Sequence, residues 1–338
     1  MLISPINPSD KNQVEGIYAK KKAVKQYLVV DEMNQEHEIS GFIGGNEGVG
    51  QVIEVGTEAC SGGGAVQAIN GELEVGDWVL PVNNSKIGTW TNMLYSEPSS
   101  LYVIKNKEGL IPEQIGSIKV NASTSYRMLK DIVDLQPGDY VMQNGANSGV
   151  GQSLIQLARL WGYKTINVVR DRPDFDQLET YLKGLGADII IKEANLGSEQ
   201  TKQLLASLAS KPKLAINCVG GRAATQMCKY LAPGANFVTY GAMARQPLSI
   251  PAGMLIFSDL CFRGFWVTRW YETHSHTEWS RMWDDLLQMM SDGSLVHQKM
   301  VPFAWPSTAD PESQSNISLL QSLVTEAMTS PTKNYFKF

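Results

Sequence analysis

Cysteine is scarce in this 338-residue chain, with four residues at positions 60, 218, 228 and 261. No two form a CxxC pair, and their spacing matches neither a disulfide framework nor a zinc knuckle. A reducing compartment fits that usage. No apolar run reaches the roughly 18 residues that a membrane-spanning helix needs, and the N-terminus shows no signal or transit pattern. Basic excess is missing too: 29 Lys and Arg stand against 34 Asp and Glu, for a formal charge of −5. That balance argues against a protein that grips nucleic-acid phosphates and in favour of a small-molecule ligand. What is present is ordinary globular material, 43% apolar and 19% charged, long enough for two domains with real cores.

Residues 1–118 are dense in Gly, Pro and Asn, with short apolar runs at 48–55 and 77–82. They read as short strands and turns, so a mostly-β domain is expected. The stretch 61–71, SGGGAVQAING, reads as a flexible, featureless surface insertion. From Tyr140 the texture changes. Apolar strands at 140–143, 165–169, 189–191, 214–217 and 237–240 alternate with amphipathic helices at 149–161, 174–185, 198–210 and 223–230. Such alternation predicts an α/β domain with a doubly wound parallel sheet over 119–266. After Trp266 the pattern breaks, with helices expected over 278–291 and 315–329, and 267–338 is expected to return to the first domain.

The segment Val141-Met-Gln-Asn-Gly-Ala-Asn-Ser-Gly-Val-Gly-Gln152 follows a strand and opens a helix. Its small residues permit a tight turn and let helix N-terminal amides approach a pyrophosphate. It is not a strict GxGxxG, and its plain alternative is a strand-to-helix turn without a ligand. Where an NAD-specific fold places an acid on the ribose, this chain has Arg170-Asp171-Arg172 closing the second strand. Two guanidinium groups suit a 2′-phosphate, so NADPH is the expected cofactor, with Asp171 able to touch the adenosine ribose. The plain alternative is an arginine paired with Asp171, Asp174 or Asp176 on the surface.

Medium-chain alcohol dehydrogenases hold a catalytic zinc with a His-Glu pair in a GHEGxGxV turn; here that turn reads Gly45-Asn-Glu-Gly-Val-Gly-Gln-Val52, without the histidine. His274 and His276 lack further ligands nearby in sequence. No metal is expected, and hydride transfer to an activated double bond is favoured over alcohol oxidation.

An ordered set of segments resembles the zinc-free mitochondrial trans-2-enoyl-acyl-carrier-protein and enoyl-CoA reductases, of the medium-chain dehydrogenase/reductase superfamily. These are Pro5-Ile-Asn-Pro-Ser-Asp10, Gly16-Ile-Tyr18, Gly45-Asn-Glu-Gly48, Gly88-Thr-Trp90, Val120-Asn121, Gln143-Asn-Gly-Ala-Asn-Ser-Gly-Val150, Val169-Arg-Asp-Arg-Pro173, Leu214-Ala-Ile-Asn-Cys-Val-Gly-Gly221, Thr239-Tyr-Gly-Ala-Met243 and Arg263-Gly-Phe-Trp266. The resemblance implies a GroES-like catalytic domain beside a Rossmann cofactor domain. It implies that Tyr18 is catalytic, and that NADPH is met by Asn121, by Asn147, Ser148, Gly149 and Val150, by Arg170, Asp171 and Arg172, by Tyr240, Gly241, Ala242 and Met243, by Phe265, Trp266 and Val267, and by Lys333. It further implies homodimers, an acyl thioester on carrier protein or CoA as substrate, and a place in mitochondrial fatty acid synthesis. Family members begin with further strands, so an N-terminally truncated first domain is expected, with any targeting segment upstream and a cytosolic short isoform as the alternative. Ala242 replaces a glycine common in the family motif. Read without the family, Tyr18 is a loop tyrosine beside Lys20, Lys21 and Lys22, a run that usually forms a solvated face and could otherwise meet a phosphopantetheine phosphate. The rival readings are a quinone reductase of the same superfamily and a non-catalytic NADPH-binding protein.

Overall fold

In the computed structural model, residues 1–30, 35–56, 65–82, 87–306 and 317–338 are described. The chain forms two compact units: Met1–Val120 with His276–Ser291 and His297–Phe338, and Asn121–Ser275 with Asp292–Val296.

In the first unit, β1 (Ile3–Pro5) leads through α1 (Pro8–Val14) to an antiparallel pair, β2 (Lys25–Val30) and β3 (Glu36–Gly41). Next come β4 (Gly50–Gln51), β5 (Gln67–Ala68), β6 (Gly71–Glu72), β7 (Trp78–Pro81), β8 (Leu101–Val103) and α2 (Pro112–Gly116). β4, β7 and β8 make one antiparallel sheet. Its inward side chains Val79, Leu101 and Val103 pack with Val52, Val66 and Leu73. The strand expected over 48–55 is thus regular at only two residues. The stretch 61–71 is also not featureless: residues 61–64 lie outside the described residues, but Gln67–Glu72 closes a hairpin. Asn70, at its tip, donates to Val103 O and accepts from Val103 N, both at 2.8 Å, which satisfies the free edge of β8.

The second unit opens with α3 (Ser123–Asp131) and then winds strand and helix in turn: β9 (Tyr140–Asn144), α4 (Gly149–Leu160), β10 (Lys164–Val169), α5 (Phe175–Leu185), β11 (Ile189–Lys192), α6 (Glu199–Ala206), β12 (Leu214–Asn217), α7 (Gly221–Met227), β13 (Asn236–Thr239), α8 (Ala252–Ile256), β14 (Cys261–Gly264) and α9 (Val267–Thr273). All six strands are parallel, in the order β11-β10-β9-β12-β13-β14. Parallel strands covered on both faces favour near-continuous apolar runs. Accordingly Met142, Ile166, Val168 and Phe237 pack with Ala224 and Met227 of α7, whereas Val169 packs with Ile155, Phe175 and Leu182 of α4 and α5. The chain starts at β9 in the middle, runs outward, then returns to β12, so strand order reverses between β9 and β12. That is the switch point where such sheets hold ligands. β14 carries no apolar run in the sequence because it is an edge strand, with Cys261, Arg263 and Gly264 exposed.

The first unit is completed by α10 (His276–Ser291), β15 (Val301–Ala304), a helix at Ile317–Thr329 and β16 (Asn334–Lys337). α10 buries Trp279, Met282, Trp283, Leu286, Leu287 and Met290, the i, i+3, i+4, i+7 stripe of an amphipathic helix. β16 lies between β15, to which it is parallel, and β1, to which it is antiparallel. Phe336 of β16 is fully buried, edge-to-face with Trp90 at 5.2 Å and with Trp305 at 5.0 Å. Truncating so enclosed an aromatic leaves a cavity, and Phe336→Ala is expected to lower stability by about 3–5 kcal/mol. Denaturant unfolding followed by tryptophan fluorescence checks this; a loss below about 1 kcal/mol would contradict the packing described.

Candidate active site

In the second unit, β9 ends at Asn144 and the chain turns at Gly145, whose φ of +59° lies in the left-handed region. Ser148 caps α4, its Oγ accepting from Gly151 N at 3.1 Å. A Cβ on Gly151 would stand 2.5 Å from Ala146 O, so only glycine lets the helix start this close to the turn. The Gln152 carboxamide donates to Asn147 O at 2.8 Å and accepts from the Tyr181 hydroxyl at 2.9 Å. Burial beside Cys218 and Ser148 pushes the Tyr240 hydroxyl well above its ordinary value, so it stays neutral. The structure therefore brings Asn147–Val150 and Tyr240 together, as the sequence implies. The loop fits a dinucleotide: its backbone is pinned, and the first-turn amides of Gly149 and Val150 have no intrahelical acceptors.

At the end of β10 the three charged residues part company. Arg172 donates to both carboxylate oxygens of Asp174, at 2.5 and 2.8 Å, which is the plain surface pairing weighed above. Asp171 is held by Lys192 at 3.0 Å. Arg170 instead lines a pocket of about 390 Å³ with Asp171, Glu193, Ala194, Arg222, Ala223 and Gln226. Nothing local in the sequence flags Arg222 or Gln226, which lie more than fifty residues further along. Asn121 accepts from Ser125 Oγ at 3.2 Å through its backbone oxygen. Phe265 follows β14 with its amide on Thr239 O at 3.0 Å, Trp266 is the N-cap of α9, and Ala242 and Met243 are exposed.

Tyr18 and Lys333 belong to the first unit. Tyr18 is half-buried just past α1, its amide bonded to Asn12 O at 3.0 Å after a left-handed turn at Gly16. The other end of α1 is fixed by a buried polar network. Asn7 N donates to Asp10 Oδ2 at 2.7 Å, the return half of a capping box. Asn46 Nδ2 donates to Asp10 Oδ1, and Asn7 Nδ2 to Glu47 Oε1, each at 2.7 Å. Glu47 also accepts from Val120 N at 2.9 Å. The Lys333 ammonium donates to Ile6 O at 2.8 Å and Asn7 Oδ1 at 2.5 Å. Lys22 donates to Gly45 O at 2.7 Å and Ile43 O at 3.2 Å. The lysine run is thus not a uniform solvated face: Lys20 and Lys21 are exposed but Lys22 is buried. Burial raises the carboxyl of Glu47 and brings the ammonium of Lys22 down to about 8 and that of Lys119 to about 7.

Zinc does not fit. Glu47 is already taken by Asn7 and Val120, and among the described residues no three His, Cys, Asp or Glu side chains converge. His274 stacks on Trp270 at 4.4 Å.

The family described as zinc-binding dehydrogenase matches residues 149–288. The mitochondrial enoyl-[acyl-carrier-protein] reductase of Rattus norvegicus is 43% identical over 298 residues, 88% of this chain and 71% of the relative. Among solved structures, the mitochondrial 2-enoyl thioester reductase Etr1p/Etr2p heterodimer from Candida tropicalis superposes with a TM-score of 0.84 at 30% identity, over 100% of this chain and 89% of that one. The complex of Etr1p with NADP and crotonyl-CoA gives 0.83 at 30% identity, with the same coverage.

Burial raises Asp10 to about 6, against the opposing pull of the Asn7 amide, Lys22 and Lys333. An unfolded aspartate titrates near 4. Between about pH 4 and 6 the folded chain therefore binds the extra proton, and this contribution to stability fades as pH rises through that window. Asp10→Asn removes it. The stability difference between the native protein and the variant should change across pH 4–6, by roughly 1–3 kcal/mol, and level off above about pH 7. Parallel pH profiles from denaturant titrations would refute the assignment.

Proposed function

The chain belongs to the mitochondrial enoyl-[acyl-carrier-protein] reductase family, and from that membership we propose that it reduces trans-2-enoyl thioesters, on acyl carrier protein or CoA, to saturated acyl thioesters with NADPH. The observation that carries this reading is the pinned glycine loop at the switch point of the parallel sheet, with an arginine-lined pocket at the end of the next strand. NADPH, when bound, supplies hydride to the β-carbon of the enoyl group.

What the protein contributes is binding, orientation and a proton. Asn147 to Val150 and Tyr240 to Met243 carry the dinucleotide, with Asn121, Phe265 to Val267 and Lys333 as further contacts. Arg170 to Arg172 form the segment that meets its adenosine end. Charge developing on the thioester oxygen must be met by a donor, and the α-carbon must then take a proton. A tyrosine hydroxyl, protonated at neutral pH, serves this purpose, and Tyr18 is the residue we assign. The mitochondrion, where the relatives are named, is the compartment proposed.

Tyr18→Phe should lower turnover of a short enoyl-CoA by roughly 10²–10⁴-fold, the usual range for a lost proton donor, while NADPH affinity is retained. Near-normal turnover would remove Tyr18 from the chemistry. Faster NADPH consumption with quinones than with enoyl thioesters would favour the quinone-reductase reading.

Assembly is proposed as a homodimer through β14. Among the described residues this strand has one partner, β13, and an open edge invites pairing with a second copy. Beside it Ile256 is 69% and Phe257 85% exposed, which a monomer in water does not favour. Phe257→Asp should shift the solution mass from dimer to monomer by light scattering. A monomeric native protein, or an undisturbed dimer in the variant, would overturn that arrangement.

A further inference from the structure

Two guanidinium groups are expected at the adenosine end of the cofactor site, and the sequence offers Arg170 and Arg172 for them. The structure pairs one candidate with a neighbouring carboxylate and supplies another. Arg172 is bound through two nitrogens to Asp174, an exposed pair just ahead of α5. Arg222 instead lines the same pocket as Arg170. Among the described residues, neither Arg170 nor Arg222 makes an ion pair.

Local backbone explains why Arg222 stands there. After β12 two successive glycines take left-handed conformations, Gly220 with φ +83° and Gly221 with φ +62°. The Asn217 carboxamide oxygen holds this turn, accepting from Val219 N at 3.2 Å and Gly220 N at 3.0 Å. The turn sets α7 so that Arg222, Ala223 and Gln226, one face of the helix, border the pocket. The acids of the lining are Asp171, already held by Lys192 at 3.0 Å, and Glu193. Glu193 is therefore the carboxylate left to oppose two unpaired arginines, and an incoming dianion would gain from both guanidiniums while being repelled by Glu193.

We propose that Arg222, together with Arg170, clasps the 2′-phosphate of NADPH, and that Arg222 rather than Arg172 supplies the second guanidinium that sets the preference over NADH. The inference rests on the NADPH reading given above and names the residue that enforces it.

Fluorescence titration of NADPH and NADH, without substrate, tests the assignment on the full chain. Arg222→Gln should weaken NADPH roughly tenfold or more, the loss of one charge-assisted contact, while NADH affinity is retained and reports an intact fold. The loss should clearly exceed that in Arg172→Gln. Glu193→Gln should act in the opposite direction, tightening NADPH several-fold and leaving NADH unchanged. Equal weakening of both dinucleotides by Arg222→Gln would make it an adenine contact and overturn the proposal, as would an equal or larger selective loss in Arg172→Gln. If the native protein binds NADH as tightly as NADPH, the NADPH reading itself fails, an outcome separate from either of these.

Discussion

A carboxylate removed from water costs several kcal/mol unless neighbours replace its hydration, and the first unit buries two of them, Asp10 and Glu47, within one small polar network. The arrangement holds because each carboxylate oxygen has a donor, Asn7 serving both groups and Asn46 and Val120 one each. Glu47 takes donors from Asn7 and Val120, and Asp10 takes donors from Asn7 and Asn46. Lys333, immediately before β16, bonds Asn7 and Ile6 and brings a compensating charge. Ser4 and Thr89 hydroxyls both donate to the backbone oxygen of Glu47, at 2.9 and 2.8 Å. Removing one member would leave another buried and unpaired, so strands remote in sequence are locked into a single register.

That network explains how a loop tyrosine can have a defined position. α1 has only seven residues, too few to be stable on its own. Its start is held by Asn7 and Asp10, and its end delivers Ile17 and Tyr18 to one carbonyl, that of Asn12. Positional accuracy at Tyr18 is therefore borrowed from charges buried a full helix away. Nothing in the sequence reports that Asn7 and Asp10 are buried.

The same contrast runs through the molecule. The second unit is readable because periodicity reports burial directly: strands packed on both faces carry mostly apolar runs, and the glycine loop needs glycine where Gly151 approaches Ala146. β14 escaped because an edge strand faces water and loses that signature. Lys22 looks like Lys20 and Lys21, and only two carbonyls some twenty residues on, Ile43 and Gly45, decide which of the three is buried. Arg172 and Arg222 show the limit most plainly. Proximity to the strand end made Arg172 the natural choice, yet Asp174, two residues further, captures it. Arg222 enters the pocket through a sheet crossover that no local pattern encodes.

Charge is also placed by exclusion. Where strand order reverses, the ends of β9, β12 and β13 are joined by neutral groups. Asn144 donates to Asn217 Oδ1 at 2.7 Å and accepts from Cys218 N at 2.8 Å, and Asn217 donates to Thr239 Oγ1 at 3.1 Å. Carboxylates in these positions could accept the same backbone amides, but they would set negative charge under the loop that a pyrophosphate must approach. Carboxamides satisfy the buried amides without repelling an anion, and they leave charge recognition to guanidinium groups at the rim. The rigid part of this site is thus neutral, and the discriminating part is charged and exposed. A dinucleotide scaffold of this kind can change its cofactor preference through rim residues without disturbing its sheet.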